Sequence, residues 1–214
     1  MKLLVSNHIG IYDNTLSKKE CEILINQFEK SDKVKRGLTT NGYEPEVKSC
    51  RQITCNFKDK SIIDNIIFPI LTSCLDSYKS RYLSLKYSPW WRYFDGYSFQ
   101  KYDGEADGYK AWHTEHGVGE EASHRILAWM FYLNNAKCGT EFMDYGIVNA
   151  KRGRCVIWPS SWTHVHRGVI PNKGLKYIVT GWCALPHPPS LDDLKQPLPR
   201  PLPIHGPPTS PSTG

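Results

Sequence analysis

The chain has 214 residues, 40% of them hydrophobic and 22% charged, with a formal net charge of +6 and a pI near 8.9. That size and balance describe one globular domain that can close its own core, and they exclude collagen-like and low-complexity polypeptides. The basic excess is scattered, apart from small groups at Lys33/Lys35/Arg36 and Lys151/Arg152/Arg154. No interleaved basic and aromatic module is present, so nucleic acid is not an expected partner, whereas attraction to an acidic substrate or to small organic acids fits the charge.

The first residues turn polar at Ser6 and Asn7, too soon for a signal peptide, and no long apolar run follows. A membrane is therefore not an expected partner. The seven cysteines (21, 50, 55, 74, 138, 155 and 183) are odd in number, contain no C-x-x-C pair and sit mostly in apolar runs. They read as small packed hydrophobes in a reducing, cytoplasmic setting.

Residues 15–32 predict a helix, because Ser17 and Glu20 form an S-x-x-E capping box and Cys21, Leu24, Ile25 and Phe28 recur at helical spacing. Residues 48–57 alternate and carry β-branched side chains, which predicts a strand. Residues 60–82 predict a second helix with Ile63, Ile66, Ile67, Ile70, Leu71, Cys74 and Tyr78 on one face. Pro69 is expected to kink or restart it.

From about residue 90 to 185 the pattern changes to short apolar or alternating runs separated by turn residues such as Asp103-Gly104, Asp107-Gly108 and Asn134-Asn135. Rings crowd residues 87–102, and Trp112, Trp129, Trp158, Trp162 and Trp182 continue the series, so the core should lie here. Helices first and strands afterwards predict a mainly β (α+β) fold, a rolled sheet with N-terminal helices packed on its outside. Residues 1–185 would form one domain. Residues 186–214 are crowded with proline and predict a disordered tail, with a partner for a proline-rich ligand as the functional alternative.

Three elements carry chemistry. In His113-Thr114-Glu115, a strand would point the imidazole and the carboxylate to the same face, close enough to share a metal ion. Farther on, the segment from Trp162 to Gly168 supplies His164 and His166, either of which could complete two histidines and one carboxylate. That set leaves coordination positions open, which suits non-haem iron(II) better than zinc. Finally, Lys176 is the only charged side chain in the apolar run from Leu175 to Trp182. A lysine there is costly to bury unless it meets an anion, although an edge-strand lysine would also explain it.

In these pieces the stretch from about Tyr97 to Cys183 resembles the double-stranded β-helix (jelly-roll, cupin-like) core of prolyl-4-hydroxylase-like Fe(II)/2-oxoglutarate-dependent dioxygenases, and in particular a phage and marine-bacterial branch with an H-x-E triad. The resemblance rests on Gln100–Tyr102, Gly108-Tyr109, His113–Glu115, Arg125–Asn134, Gly139–Phe142, Lys151–Gly153, Val156–Pro159, Thr163–Gly168 and Lys176–Trp182, in order. It implies iron(II) on His113, Glu115 and a distal histidine. Lys176 follows His166 by ten positions, the family's usual spacing, and His164 by twelve, which selects His166. It also implies Lys176 on the C5 carboxylate of 2-oxoglutarate, helped by Tyr132, with Tyr102 lining the pocket. Arg125 would lie at the mouth, either touching substrate or pairing structurally. Most of the wider family carries aspartate where this chain has Glu115. The implied activity is hydroxylation of a C–H bond with 2-oxoglutarate and O2 consumed, succinate and CO2 released, and ascorbate as an accessory reductant. The implied substrate is a prolyl or other residue of a protein or peptide; a free amino acid or other small molecule is the alternative, and a non-catalytic binding barrel a weaker one.

Overall fold

The computed structural model describes residues 3–39, 41–88, 91–104, 107–119, 121–170 and 174–186. The expected proline-rich tail lies outside the described residues from position 187 onward, as do residues 171–173 of the turn before Leu175.

In chain order the elements are β1 (Leu3–Ser6), β2 (Ile9–Tyr12), α1 (Lys18–Glu29), β3 (Lys35–Arg36), β4 (Lys48–Ser49), β5 (Arg51–Asn56) and α2 (Ile62–Arg81). There follow β6 (Arg92–Asp103), β7 (Gly108–Tyr109), β8 (Arg125–Tyr132), β9 (Gly139–Phe142), β10 (Gly146–Asn149), β11 (Arg154–Pro159), β12 (His166–Gly168) and β13 (Leu175–Ala184). Helix α1 begins where the capping box places it: the Glu20 N–H donates to Ser17 Oγ and the Ser17 N–H to the Glu20 carboxylate. Ser61 and Asp64 repeat that device at α2. Pro69 lies inside α2 without restarting it, so the helix runs unbroken for 20 residues. The buried stripe of Ile63, Ile67, Leu71, Cys74, Leu75 and Tyr78 holds it against the sheet despite the missing N–H.

A large antiparallel sheet runs β1-β2-β11-β8-β13-β6-β5-β3, and a smaller one runs β10-β9-β12. The two face each other as a double-stranded β-helix: Phe142 of β9 meets Trp158 of β11 edge-on at 5.6 Å. Helices α1 and α2 pack on the outer face of the large sheet. Its central strands are therefore buried on both sides, which explains why they read as continuous apolar runs. On β8, Leu127, Trp129 and Phe131 face the helices while Ala128, Met130 and Tyr132 face the interior. On β13, Tyr177 and Val179 turn to the helices, and Lys176, Ile178, Thr180 and Trp182 line the interior cavity.

The rings do not all join the core. Trp129 and Trp158 are fully buried, but Trp162 is 78% exposed and Trp112 is also exposed. The N-terminal hairpin β1–β2, for which the sequence offers no strong pattern, extends the large sheet by pairing β2 with β11. It is tied at Asp13, whose carboxylate accepts from Arg154 Nε at 2.7 Å and from Lys151 Nζ at 3.0 Å. The Gly153 carbonyl also accepts the Thr15 N–H at 2.8 Å. Gly153 has φ +74, and a side chain there would meet the Leu16 carbonyl, so only glycine fits this junction.

Candidate active site

Between the two sheets lies a cavity of about 450 Å³, lined by His113, Glu115, His166 and Lys176 together with residues of β4–β8, β9 and β13. The segment carrying His113 is a single bridge and not a strand as expected. His113 and His166 exchange backbone hydrogen bonds, both at 2.9 Å, and two residues later the Glu115 N–H donates to the Ser160 carbonyl. Those anchors bring one ligand atom each from His113, Glu115 and His166 within 4.8 Å of one another.

Both imidazoles are oriented alike. His113 Nδ1 donates to the Ala111 carbonyl at 3.0 Å, and His166 Nδ1 donates to the His164 carbonyl at 2.9 Å. A carbonyl only accepts, so each Nδ1 carries a proton and each Nε2 is turned toward Glu115 Oε1, at 4.0 and 3.3 Å. The rings are held by packing: Tyr109 stacks on His113 at 3.7 Å and 10°, and His166 lies between Trp158 and Phe142. Burial, with the neighbouring His166, holds the His113 pKa down to about 4, so this ring is neutral near pH 7, the state a metal needs. For Glu115 burial pushes upward, but the hydrogen bond and charge of His166, the charge of His113 and the Trp182 N–H outweigh it and bring the pKa to about 2.

Glu115 is fixed from the other side. Trp182 Nε1 donates to Oε2 at 2.7 Å, and the Arg125 guanidinium, 3.6 Å over the Trp182 ring, donates to the Glu115 backbone carbonyl at 3.3 Å. Two imidazoles whose Nε2 atoms converge with a carboxylate, with the rest of the cavity open, fit a divalent ion that keeps exchangeable positions. Lys176, 3% exposed, places its Nζ 4.4 Å over the Tyr102 ring and makes no hydrogen bond or ion pair among the described residues. Burial lowers its pKa. A buried ammonium without an anion, opening on the same cavity, fits a carboxylate-bearing co-substrate.

His164 is not on the face of His166. It closes a short 3-10 turn (Trp162–His164), so the two-residue strand spacing does not apply, and its Nε2 is hydrogen-bonded to the Asn7 carbonyl at 2.8 Å. Only its backbone carbonyl serves the site, by accepting from His166. Tyr102 lines the cavity and donates to Gln100 Oε1 at 2.5 Å. Tyr132 stands one layer behind: its hydroxyl is hydrogen-bonded to Thr140 Oγ1 at 2.7 Å, and Thr140 is the residue that lines the cavity. Sequence reasoning gave no role to Lys48, Tyr109, Thr140 or Trp182. Tyr109, Thr140 and Trp182 fall within segments that carry the resemblance, but their contacts with the site arise only through pairing distant in the chain, as does that of Lys48.

The sequence model of the 2OG-Fe(II) oxygenase superfamily matches residues 97–184. That span holds His113, Glu115, His166 and Lys176, and over it the chain is similar to the 2OG-Fe(II) oxygenases. Its cofactors are iron(II), 2-oxoglutarate and O2. No curated protein matches this oxygenase in sequence. Among solved structures it is similar to a prolyl hydroxylase from Trichoplax adhaerens in complex with a hypoxia inducible factor peptide fragment, at 16% identity and TM-score 0.63, covering 84% of each chain. A Pseudomonas putida prolyl-4-hydroxylase gives 15% identity and TM-score 0.63, over 83% of this chain and 93% of that one. A viral collagen prolyl hydroxylase from Paramecium Bursaria Chlorella virus-1, in its 2OG complex, gives 16% and 0.58, over 83% and 96%. At such identities these likenesses show the prolyl-hydroxylase-like fold of the oxygenase. No helix of the described residues is long and apolar enough to cross a membrane.

Proposed function

We propose that this oxygenase hydroxylates a C–H bond of a prolyl or other residue in a protein or peptide, with His113, Glu115 and His166 holding iron(II) and Lys176 holding the far carboxylate of 2-oxoglutarate. The observation that carries the reading is the unpaired buried Lys176 in one cavity with three convergent ligand atoms. When bound, iron and 2-oxoglutarate supply the oxidising power: 2-oxoglutarate, O2 and R–H become succinate, CO2 and R–OH, one oxygen atom going to succinate and one to the product.

The chain's own residues orient and exclude. The Nδ1–H bonds of His113 and His166 present Nε2 to the ion, and Trp182 fixes which Glu115 oxygen remains free for it. Lys176 places the co-substrate by its distal end. Tyr132 acts through Thr140, which it holds against the cavity. Tyr102, Tyr109, Met130 and Ile178 wall the cavity with rings and apolar surface that keep water from the reacting atoms. Arg125 is the substrate contact in this reading, because it stands on the wall shared by this cavity and a neighbouring cleft of about 580 Å³. That cleft, meeting the cavity at Ser98, Arg125 and Trp182, gives residues flanking the target a place to lie and supports a peptide over an isolated molecule. Residues 1–185 act as one domain, and the proline-rich segment beyond is either passive or a ligand for a partner.

Purified protein supplied with iron(II) and ascorbate should convert 2-oxoglutarate to succinate slowly without substrate and faster with one. No succinate from folded, metal-loaded protein would overturn the reading. Mass spectrometry of a proline-containing peptide library, searching for the gain of one oxygen, identifies the substrate residue.

A further inference from the structure

The cavity holds one cation more than its proposed co-substrate uses. Lys48, on β4, is 7% exposed and lines the same cavity as Lys176. Its Nζ donates to the Leu38 carbonyl at 3.2 Å and to Gln52 Oε1 at 3.0 Å, both neutral acceptors, and no carboxylate of the described residues pairs with it. Among the described residues, the Lys, Arg, Asp and Glu side chains lining the cavity are Lys48, Arg125 and Lys176 against Glu115. Glu115 belongs with the ion and Lys176 with 2-oxoglutarate, and Arg125 is engaged with Glu115 and Trp182. Lys48 is left without a counter-ion among the described residues.

Its position suits the other reactant. The Lys48 Nζ lies 5.7 Å from the centroid of the Tyr109 ring, whose own stack is on His113, so one aromatic ring separates the ammonium from the ligand cluster. Lys176 sits instead over Tyr102, on the neighbouring strand pair. Lys48 is bonded to Leu38, and Leu38, Thr39 and Asn41 form one lip of the cavity. A buried ammonium in that place is costly unless an anion joins it. Two of its three donors are taken, so one charge-assisted hydrogen bond remains, which suits a carboxylate better than a phosphate, whose oxygens call for several donors.

We propose that Lys48 receives a carboxylate of the prime substrate, so that this oxygenase hydroxylates an acidic substrate. The assignment rests on the reading of His113, Glu115, His166 and Lys176 given above. The carboxylate could be that of a free amino acid or of an acidic residue in a peptide, and paired probes separate the two sources. Protein loaded with Mn(II) and 2-oxoglutarate, kept free of O2, is titrated calorimetrically with L-proline against L-prolinamide and L-aspartate against L-asparagine. Peptides carrying Pro-Asp against Pro-Asn form the second arm.

At least one charged probe should bind about ten-fold tighter than its neutral partner, the worth of one hydrogen bond to a charged group. Lys48→Gln retains a donor for Leu38 and Gln52 while removing the charge, and should bring the ratio close to one; Lys48→Arg should keep most of it. Equal binding of charged and neutral members in every pair overturns the assignment, and so does a preference that survives in Lys48→Gln. Titration of 2-oxoglutarate into the same Mn(II) protein distinguishes the failures. No 2-oxoglutarate binding by the unaltered protein removes the underlying reading, whereas 2-oxoglutarate binding without a carboxylate preference removes only the role of Lys48. Measured 2-oxoglutarate binding by each variant also shows that it has folded.

Discussion

The indole N–H of Trp182 donates to Glu115 Oε2 at 2.7 Å, so a residue on the central strand β13 sets the orientation of a carboxylate on a segment that has almost no regular structure of its own. Such a partner fixes which oxygen faces the ion. Trp182→Phe keeps most of the ring over which Arg125 lies but removes the donor. Metal affinity should fall by about ten-fold, within the range found for partners that orient metal ligands, as read from Mn(II) or Co(II) binding isotherms.

His164 and His166 should separate cleanly. His166→Ala removes a ligand and should abolish stoichiometric metal binding. His164→Ala loses the ring with its bonds to the Asn7 carbonyl and Thr163 Oγ1, and leaves the carbonyl that His166 uses. It should bind metal as before while losing about 1–2 kcal/mol of stability in denaturant unfolding, as expected for these hydrogen bonds and the ring.

Lys176→Met is expected to leave the ligand-free protein as stable or to raise its stability by about 1 kcal/mol, because a buried unpaired ammonium is replaced by an apolar chain of similar length. The sign follows from the pKa. It is lowered in the folded state, so the unfolded chain holds the proton more tightly and the charged lysine opposes folding at neutral pH. In the same variant the rise in Tm produced by 2-oxoglutarate should vanish. Differential scanning fluorimetry with and without 2-oxoglutarate reads both effects.

Asp13 gives a pH test away from the site. The hydrogen bond from Arg154 lowers its pKa below the ordinary 3.8, burial opposes this, and Lys151 adds to the lowering. A carboxyl depressed in the folded state contributes its full stability above the unfolded value and loses it as pH falls through the folded one. Asp13→Asn should therefore cost about 1–2 kcal/mol near pH 7, with the gap to the unaltered protein closing below about pH 4. Urea unfolding of both proteins at the two pH values is the measurement.

What the chain discloses locally and what only the fold creates can be told apart residue by residue. The helix start at Ser17 is legible because a capping box with Glu20 is complete within four residues, whereas the box of Ser61 and Asp64 emerges only in the structure. The alternation of β8 is hidden, since both faces of that strand are covered and the two apolar sets merge into one run. His113, Glu115, His166 and Lys176 stand out through residue type, spacing and, for Lys176, isolation in an apolar strand. Trp182 and Tyr109 look like ordinary aromatic residues until β13 and β7 bring them to Glu115 and His113. Lys48 in sequence is one basic residue among 27, and its burial arises only when β4 pairs with β7 beside the cavity.

All seven cysteines are buried as free thiols, and for Cys21, Cys50, Cys55, Cys138, Cys155 and Cys183 burial raises the thiol pKa above its ordinary value. The reactive thiolate is thus scarce as well as sheltered, and alkylating reagents should reach these sulfurs chiefly when the surrounding structure opens. Cys21 on α1 and Cys74 on α2 lie in the outer helices, Cys138 beside β9 of the small sheet and Cys183 on β13 of the large one. Their separate labelling rates, resolved by peptide mapping, make the chain its own clock of local opening: outer helices, small sheet and central strand can each be timed without introducing a probe.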